Sequence, residues 1–321
     1  MKSMRQHMEE ITSPEQTVFT EFPPLPEKLQ LELNETCNHS CVFCPFHSPF
    51  MKASPQYNVM DYGFAIRVLE QAASLGIGRK ELGLFASGEP LLYAKLEEVV
   101  KEAKRLRFPY VYITTNGTLA SPDRVKRLID AGIDSIRFSV NAGNRETYQL
   151  VHGKDDFDRV IDNIKRTNEI RKKIHRPLNL SLSFVRTAVT EKDYSVLESI
   201  LKKEVDDMIQ FDAIRLEEID LEVAREYSVF SNQRTRETDE NLICASIFNT
   251  MYIDSSMNVN LCCSSLKSKI AMTTLCENDD LQAAWNCSRF VSWRKRMISG
   301  GLTGTVCDDC YMRTIRLKDA S

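Results

Sequence analysis

The stretch "ETCNHSCVFCPF" (residues 35–46) places Cys37, Cys41 and Cys44 within eight positions, and its reading decides the fold. A C-x3-C-x2-C spacing wraps three thiols around one small object, and soft sulfur ligands suit zinc or an iron–sulfur group. A closed tetrahedral zinc site requires four ligands. Two completions are open. Either His39 or His47 supplies the fourth ligand and the loop is a structural knob, or the fourth position is kept for something other than protein and the loop is a reactive centre.

The flanking sequence places this loop. It follows a β-rich run, "KLQLELN" (28–34), and further runs of that kind are "ELGLFAS" (81–87), "YVYITTN" (110–116), "SIRFSVN" (135–141), "LNLSLSFV" (178–185) and "AIRLEEI" (213–219). Amphipathic helical patterns separate them at 61–76, 95–107, 121–132, 157–173 and 193–203. Ser121 before Pro122 and Asp123 is a helix-start signal, and Gly132 a stop. Alternating strands and helices predict a parallel sheet with right-handed crossovers. Six such units fall short of a closed eightfold barrel, so the expected core is a partial (β/α)6 TIM barrel of the α/β class. In such barrels chemistry gathers at the loops after the strands, where the three cysteines stand.

The bulk numbers narrow the function classes. Hydrophobic residues make up 42% of the 321-residue chain and charged residues 27%, as in ordinary globular proteins. A net charge of -3 gives no electrostatic reason to expect nucleic acid or a membrane as partner. The basic stretches at 101–107 and 165–176 have helical spacing and read as solvated helix faces. The start lacks an apolar signal segment, so ten cysteines point to metal or redox use rather than disulfides. The β-α alternation fades near residue 220. Seven cysteines follow: Cys244, Cys262, Cys263, Cys276, Cys287, Cys307 and Cys310. The expected organisation is an N-terminal extension (1–27), the barrel (28–220) and a small α+β cysteine-rich domain (221–321).

With Phe43 just before its last cysteine, the first cluster resembles the loop of the radical S-adenosylmethionine (SAM) enzymes. That resemblance implies a [4Fe–4S] cluster on Cys37, Cys41 and Cys44, its fourth iron left open for SAM. Three more segments resemble the family in order. "SGEP" (87–90) is similar to its GGEP motif, which implies Ser87, Gly88 and Glu89 at the methionyl ammonium; Ser87 replaces a glycine. "TTNG" (114–117), with Asn116, follows the third strand. "FSVN" (138–141) is similar to a ribose-binding S-x-D element, with Ser139 matching and Asn141 in place of the acid. The stretch 148–165 reads like the family's connection into its fourth helix.

The C-terminal part resembles the Twitch domain, a short form of the SPASM extension. "YIDSSMNVNLC" (252–262) reads as its hairpin, with Met257 where a glycine is expected, and "VCDDC" (306–310) as its C-x2-C. This implies an auxiliary [4Fe–4S] cluster on Cys244, Cys262, Cys307 and Cys310. Cys263 is an alternative ligand, and one of Cys263, Cys276 and Cys287 is a candidate hydrogen donor; Cys276 and Cys287 are otherwise expected as small buried residues. Trp285 and Trp293 are expected in the core.

The motif set resembles aminocyclitol and sugar-alcohol dehydrogenases, an oxidoreductase chemistry in which a small polar alcohol loses two electrons. The competing expectations are an epimerase or peptide-modifying enzyme, and a non-catalytic zinc or iron–sulfur protein. Arg186, Arg215, Glu217 and Arg225, at or after the last strands, are candidates for substrate contact or base. A flavodoxin- or ferredoxin-type electron donor and a cytoplasmic location are expected.

Overall fold

A computed structural model describes residues 17–51, 56–174, 176–211, 242–262, 270–276, 280–308 and 315–316. Within it, local sequence signals set the boundaries of the elements. Strand β1 (Lys28–Leu31) leads through the cysteine loop to α1 (Tyr62–Leu75). The Asp61 carboxylate accepts from the Phe64 N–H at one end of α1, and Gly76 closes the other in the left-handed region. This cap pairing satisfies helix-end groups that would otherwise be orphaned. Then follow β2 (Glu81–Gly83), α2 (Leu96–Arg105), β3 (Val111–Thr115) and α3 (Pro122–Ala131). Ser121 caps α3 and Gly132 ends it, as expected. The chain continues through β4 (Ser135–Ser139), α4 (Arg145–His152), α5 (Phe157–Lys173), β5 (Asn179–Val185), α6 (Asp193–Leu201) and β6 (Asp207–Phe211).

Strands β1 to β6 pair in parallel, in sequence order, and do not close. The expected partial barrel is therefore what forms. Its inner strands are buried along nearly their whole length, as a parallel sheet covered by crossover helices requires. The sixth strand corrects the sequence expectation. It is Asp207–Phe211, on the sheet edge, whereas 213–219 lies outside the described residues. "DMIQF" is only partly buried, so it lacks the apolar run that marks an inner strand.

The cysteine-rich segment adds β7 (Leu242–Ile243), α7 (Ser246–Asn249), β8 (Thr250–Ile253), β9 (Asn258–Asn260), β10 (Ala271–Thr274), α8 (Leu281–Trp285), α9 (Ser288–Ser299) and β11 (Ile315–Arg316). It continues the barrel sheet. β8 pairs in parallel with β1, and β9 and β10 extend that edge antiparallel, giving the order β10-β9-β8-β1-β2-β3-β4-β5-β6. Behind the edge, Trp285 is fully buried and donates from Nε1 to the Pro24 carbonyl (3.1 Å). The Arg294 guanidinium lies 4.0 Å from the centre of the Trp285 ring, and burial pushes its pKa down to about 10. Trp293 is partly buried against the same core. Among the described residues no helix is long and apolar enough to cross a membrane.

The hairpin β8–β9 forms despite Met257, which adopts φ 66°. Asp254 organises the turn: its Oδ1 accepts from the Ser256 and Asn258 N–H groups at 2.8 and 3.0 Å. A left-handed backbone costs a non-glycine residue about 1 kcal/mol. Met257 is 38% exposed, so it recovers little through packing. Met257→Gly is therefore expected to raise the melting temperature in a calorimetric scan.

Candidate metal and cofactor site

The cysteine loop is fastened on both flanks. Glu35 accepts from the Asn58 N–H (3.1 Å) and from the Ser255 hydroxyl in the hairpin turn. On the other side the Val42 N–H donates to the Val151 carbonyl (2.9 Å) at the end of α4. Gly153 caps that helix at φ 68°, and a Cβ there would stand 2.5 Å from Ser40 Oγ. Only glycine meets both the conformation and the approach.

Between these anchors His152 reaches Cys41. Its Nε2 accepts from the Asn141 backbone N–H at 3.2 Å. The ring proton therefore sits on Nδ1, which donates to Cys41 Sγ at 3.3 Å. Burial holds His152 well below the ordinary 6.5, and neighbouring His39 adds to the shift, so the ring is neutral. His39, Cys41 and His152 place ligand atoms within 4.8 Å of one another, the geometry of a possible metal site. The tautomer argues otherwise, because a protonated Nδ1 has no lone pair to give a metal. His39 Nε2 is itself engaged with Thr118 Oγ1 (3.0 Å) and stands 3.5 Å from Asp156. His39 Nε2 is thus turned to Thr118 and Asp156, while His47 lines the cavity beside the cysteines.

The "SGEP" turn after β2 packs directly on this loop. A Cβ at Gly88 would lie 2.2 Å from the Asn34 carbonyl oxygen, so no other residue fits without moving the backbone. The Ser87 N–H (2.7 Å) and hydroxyl both donate to Glu32 Oε1, which gives the serine its reason for replacing a glycine. Glu89 is buried, and its carboxylate accepts from Leu91 N–H (3.0 Å), Thr115 Oγ1 (2.6 Å) and Asn116 N–H (2.8 Å). Burial still raises its pKa, with these donors pulling the other way. Asn141 replaces the acid of the S-x-D pattern with a role for each end of its amide. Its Oδ1 accepts from Val185 N–H (2.7 Å), and its Nδ2 faces Ser139 Oγ (3.4 Å) and His152 Nε2 (3.4 Å).

These strand ends enclose a cavity of about 400 Å³. Cys37, Cys41 and Cys44 line it together with every residue assigned above to SAM, from Phe43 to Asn141. Burial pushes the Cys37 thiol up to about 11, and also raises Cys41 and Cys44, with like charge adding at Cys37 and Cys41. Thiols in such a setting are poor nucleophiles. A metal cation inverts that balance and takes them as thiolates. The donor set, three thiols on one wall of a roomy cavity, thus fits an iron–sulfur cluster with space beside it for an organic ligand.

Other candidates fall elsewhere. Arg186 lies next to cavity-lining Val185, with its backbone N–H on the Phe211 carbonyl (3.0 Å), but it is not part of the cavity wall. Cys244 and Cys307 are buried and Cys262 half-buried. Cys310, Cys263, Arg215, Glu217 and Arg225 lie outside the described residues. Cys276 corrects an expectation: it is exposed, because the chain leaves the sheet just after β10. Cys287 is half-buried near the Met272 carbonyl. The sequence reading passed over Glu32, Thr115 and His152; only "VHG" before the α4 cap hinted at the last.

Comparison with known proteins bears on this arrangement. Residues 31–181 match the Radical SAM superfamily. A protein of Saccharolobus islandicus (strain M.14.25 / Kamchatka #1) called "Probable GTP 3',8-cyclase" is 34% identical over 144 residues, 45% of this chain and 44% of that protein. The chain thus spans less than half of that relative. Among solved structures, BtrN in complex with AdoMet and 2-DOIA aligns with TM-score 0.57 at 20% identity, over 89% of this chain and 93% of that one. Streptococcus suis SuiB bound to precursor peptide SuiA aligns with TM-score 0.62 at 16% identity, over 90% and 69%. At these identities the likeness establishes a shared fold.

Burial lowers His39 as well as His152. The native protein therefore refuses protons that the unfolded chain takes up as pH falls through about 6.5. Stability is lost on the acid side, by up to about 1.4 kcal/mol per pH unit for each group. Denaturant titrations of the metal-free protein are expected to show this slope between pH 7 and 5, and a shallower one for His152→Gln.

Proposed function

We propose that the radical SAM superfamily domain formed by residues 31–181 holds a [4Fe–4S] cluster on Cys37, Cys41 and Cys44 and binds SAM in the adjoining cavity. The observation that carries this reading is the convergence of the three thiols with Ser87, Glu89, Asn116, Ser139 and Asn141 in the lining of one cavity. A reduced cluster of this kind supplies the electron that splits SAM into methionine and a 5′-deoxyadenosyl radical. The chain's task is to hold the substrate carbon near that radical and to keep water away. The two-sided anchoring of the loop and the buried Glu89 hub serve that task.

The substrate reading is a two-electron oxidation of a small polar alcohol. Such an oxidation removes a hydrogen atom from the carbon, a proton from the hydroxyl and one further electron, leaving a carbonyl; a second cluster, if bound, would supply the acceptor for that electron. Cys244, Cys262, Cys307 and Cys310 are proposed to hold that cluster, which would carry the Twitch role. Two observations support it. The hairpin bearing Cys262 joins the barrel sheet beside β1. The fold matches BtrN, solved with AdoMet and 2-DOIA, over nearly the whole of both chains. Peptide modification, suggested by the SuiB complex, and the chemistry in the name of the curated relatives are the competing readings. A small flavodoxin- or ferredoxin-type donor in a low-oxygen cytoplasm completes the proposal.

The test is anaerobic. Dithionite-reduced, reconstituted protein is expected to form 5′-deoxyadenosine and methionine from SAM. Cys37→Ala, Cys41→Ala and Cys44→Ala should each cut the rate at least a hundredfold, whereas Cys262→Ala should still cleave SAM. A brown, reduced protein that leaves SAM intact contradicts the reading.

A further inference from the structure

His39 and His152 both stand beside the cysteine loop, and they turn their rings to different tasks. His39 gives Nε2 to Thr118 and Asp156, away from the sulfurs. His152 brings Nδ1 to Cys41 Sγ at 3.3 Å from 111 residues along the chain. Two donors meet its other nitrogen: the Asn141 backbone N–H at 3.2 Å and the Asn141 amide Nδ2 at 3.4 Å. The amide cannot reverse, because its Oδ1 is taken by the Val185 N–H (2.7 Å). A nitrogen facing two donors keeps its lone pair, so the one proton of the ring stays on Nδ1. The end of β4 thus sets the tautomer that the cysteine receives.

The ring has no room to turn away. It is 1% exposed and stacks on Tyr148, with centroids 4.1 Å apart and planes 20° from parallel. Phe43 and His39 meet it edge to face, with centroids 6.0 and 5.6 Å away. A polar N–H held in so dry a setting acts more strongly than one in water. The donors at Cys37 are of another kind: the His39 backbone N–H within the loop (3.4 Å) and the Asn116 amide at 4.0 Å.

We propose that His152 is a positioning residue for the [4Fe–4S] cluster: its Nδ1–H bond to Cys41 Sγ raises the potential at which that cluster accepts an electron. The inference deepens the radical SAM reading and rests on it. Reduction adds negative charge to the cluster and its sulfurs. An N–H aimed at one of those sulfurs stabilises the more negative state, and hydrogen bonds of this kind help to set iron–sulfur potentials. Cys37 and Cys44 both oppose a charge on Cys41, so a fixed donor there answers the most crowded of the three sulfurs. The ring keeps its proton throughout and acts only through its orientation.

Two substitutions divide the functions of the ring. Asn carries its amide nitrogen close to where Nδ1 stands, and Gln carries its own close to where Nε2 stands. Redox titrations followed by electron paramagnetic resonance use anaerobically reconstituted wild type, His152→Asn and His152→Gln, without SAM. The cluster is identified by the signal that changes when SAM is then added. His152→Gln is expected to be at least tenfold harder to reduce, a downward shift of about 59 mV for a one-electron couple. His152→Asn should stay within threefold of wild type. A merely structural role would change the iron content or melting temperature of both variants and leave the potential of the loaded fraction in place. An unmoved potential in His152→Gln, or an equal drop in both variants, overturns the inference. Nitrogen-15 NMR of metal-free, histidine-labelled protein needs no variant to load. It should place the His152 proton on Nδ1, and a proton on Nε2 also overturns the inference. A chain that assembles no cluster on Cys37, Cys41 and Cys44 contradicts the preceding proposal, whereas a loaded chain with an unmoved potential contradicts this inference alone.

Discussion

The docking of the cysteine loop onto the end of α4 is the constraint on which the site depends. Three contacts within three residues make it: Val42 N–H to the Val151 carbonyl, Cys41 Sγ to His152, and Ser40 against Gly153. None tolerates much change. Gly153 has neither the space nor the backbone conformation for a side chain, and His152 is fixed by the strand-end N–H of Asn141. Through that N–H the ring links a cysteine of the loop to the end of β4, so the sulfur wall and the "FSVN" wall of the cavity move as one. Gly88 and Glu89 fasten the opposite wall in the same manner, by close backbone approach and by a carboxylate gathering donors from β3.

The electrostatics of this docking are unfavourable without a cation. Burial raises three thiols and a carboxylate and lowers two histidines, so each of these groups around the loop is pressed toward its neutral form. A site of neutral, buried sulfurs has little nucleophilic use, but it is well prepared to give up protons to a metal group. The neutral His152 adds a single N–H donor toward Cys41 Sγ, the kind of hydrogen bond that tunes an iron–sulfur potential.

Much of this was legible in the sequence because it rests on local rules. Ser121 and Gly132 bound α3 as their chemistry requires, and five of the six barrel strands fall within the predicted runs. The sixth was misplaced because Asp207–Phe211 is an edge strand with weak apolar patterning. The fusion of β8 to β1 was hidden, since nothing local announces a pairing between residues 28–31 and 250–253. The same holds for Glu32 under Ser87 and for His152 under Cys41: each is ordinary in sequence and acquires meaning only from a partner far along the chain. Met257 shows the converse. The sequence marked its turn as irregular, and the backbone adopts the glycine-like conformation nonetheless, with Asp254 holding it.

An open position beside three cysteines, with SAM as its proposed occupant, is the central claim. Electron–nuclear double resonance on the dithionite-reduced protein, with SAM carrying 15N in its amino group, tests it most directly. A resolved nitrogen coupling that disappears in Cys41→Ala and persists in Cys262→Ala is the predicted result. A reduced signal indifferent to SAM, or one lost with Cys262 and kept without Cys41, would contradict it.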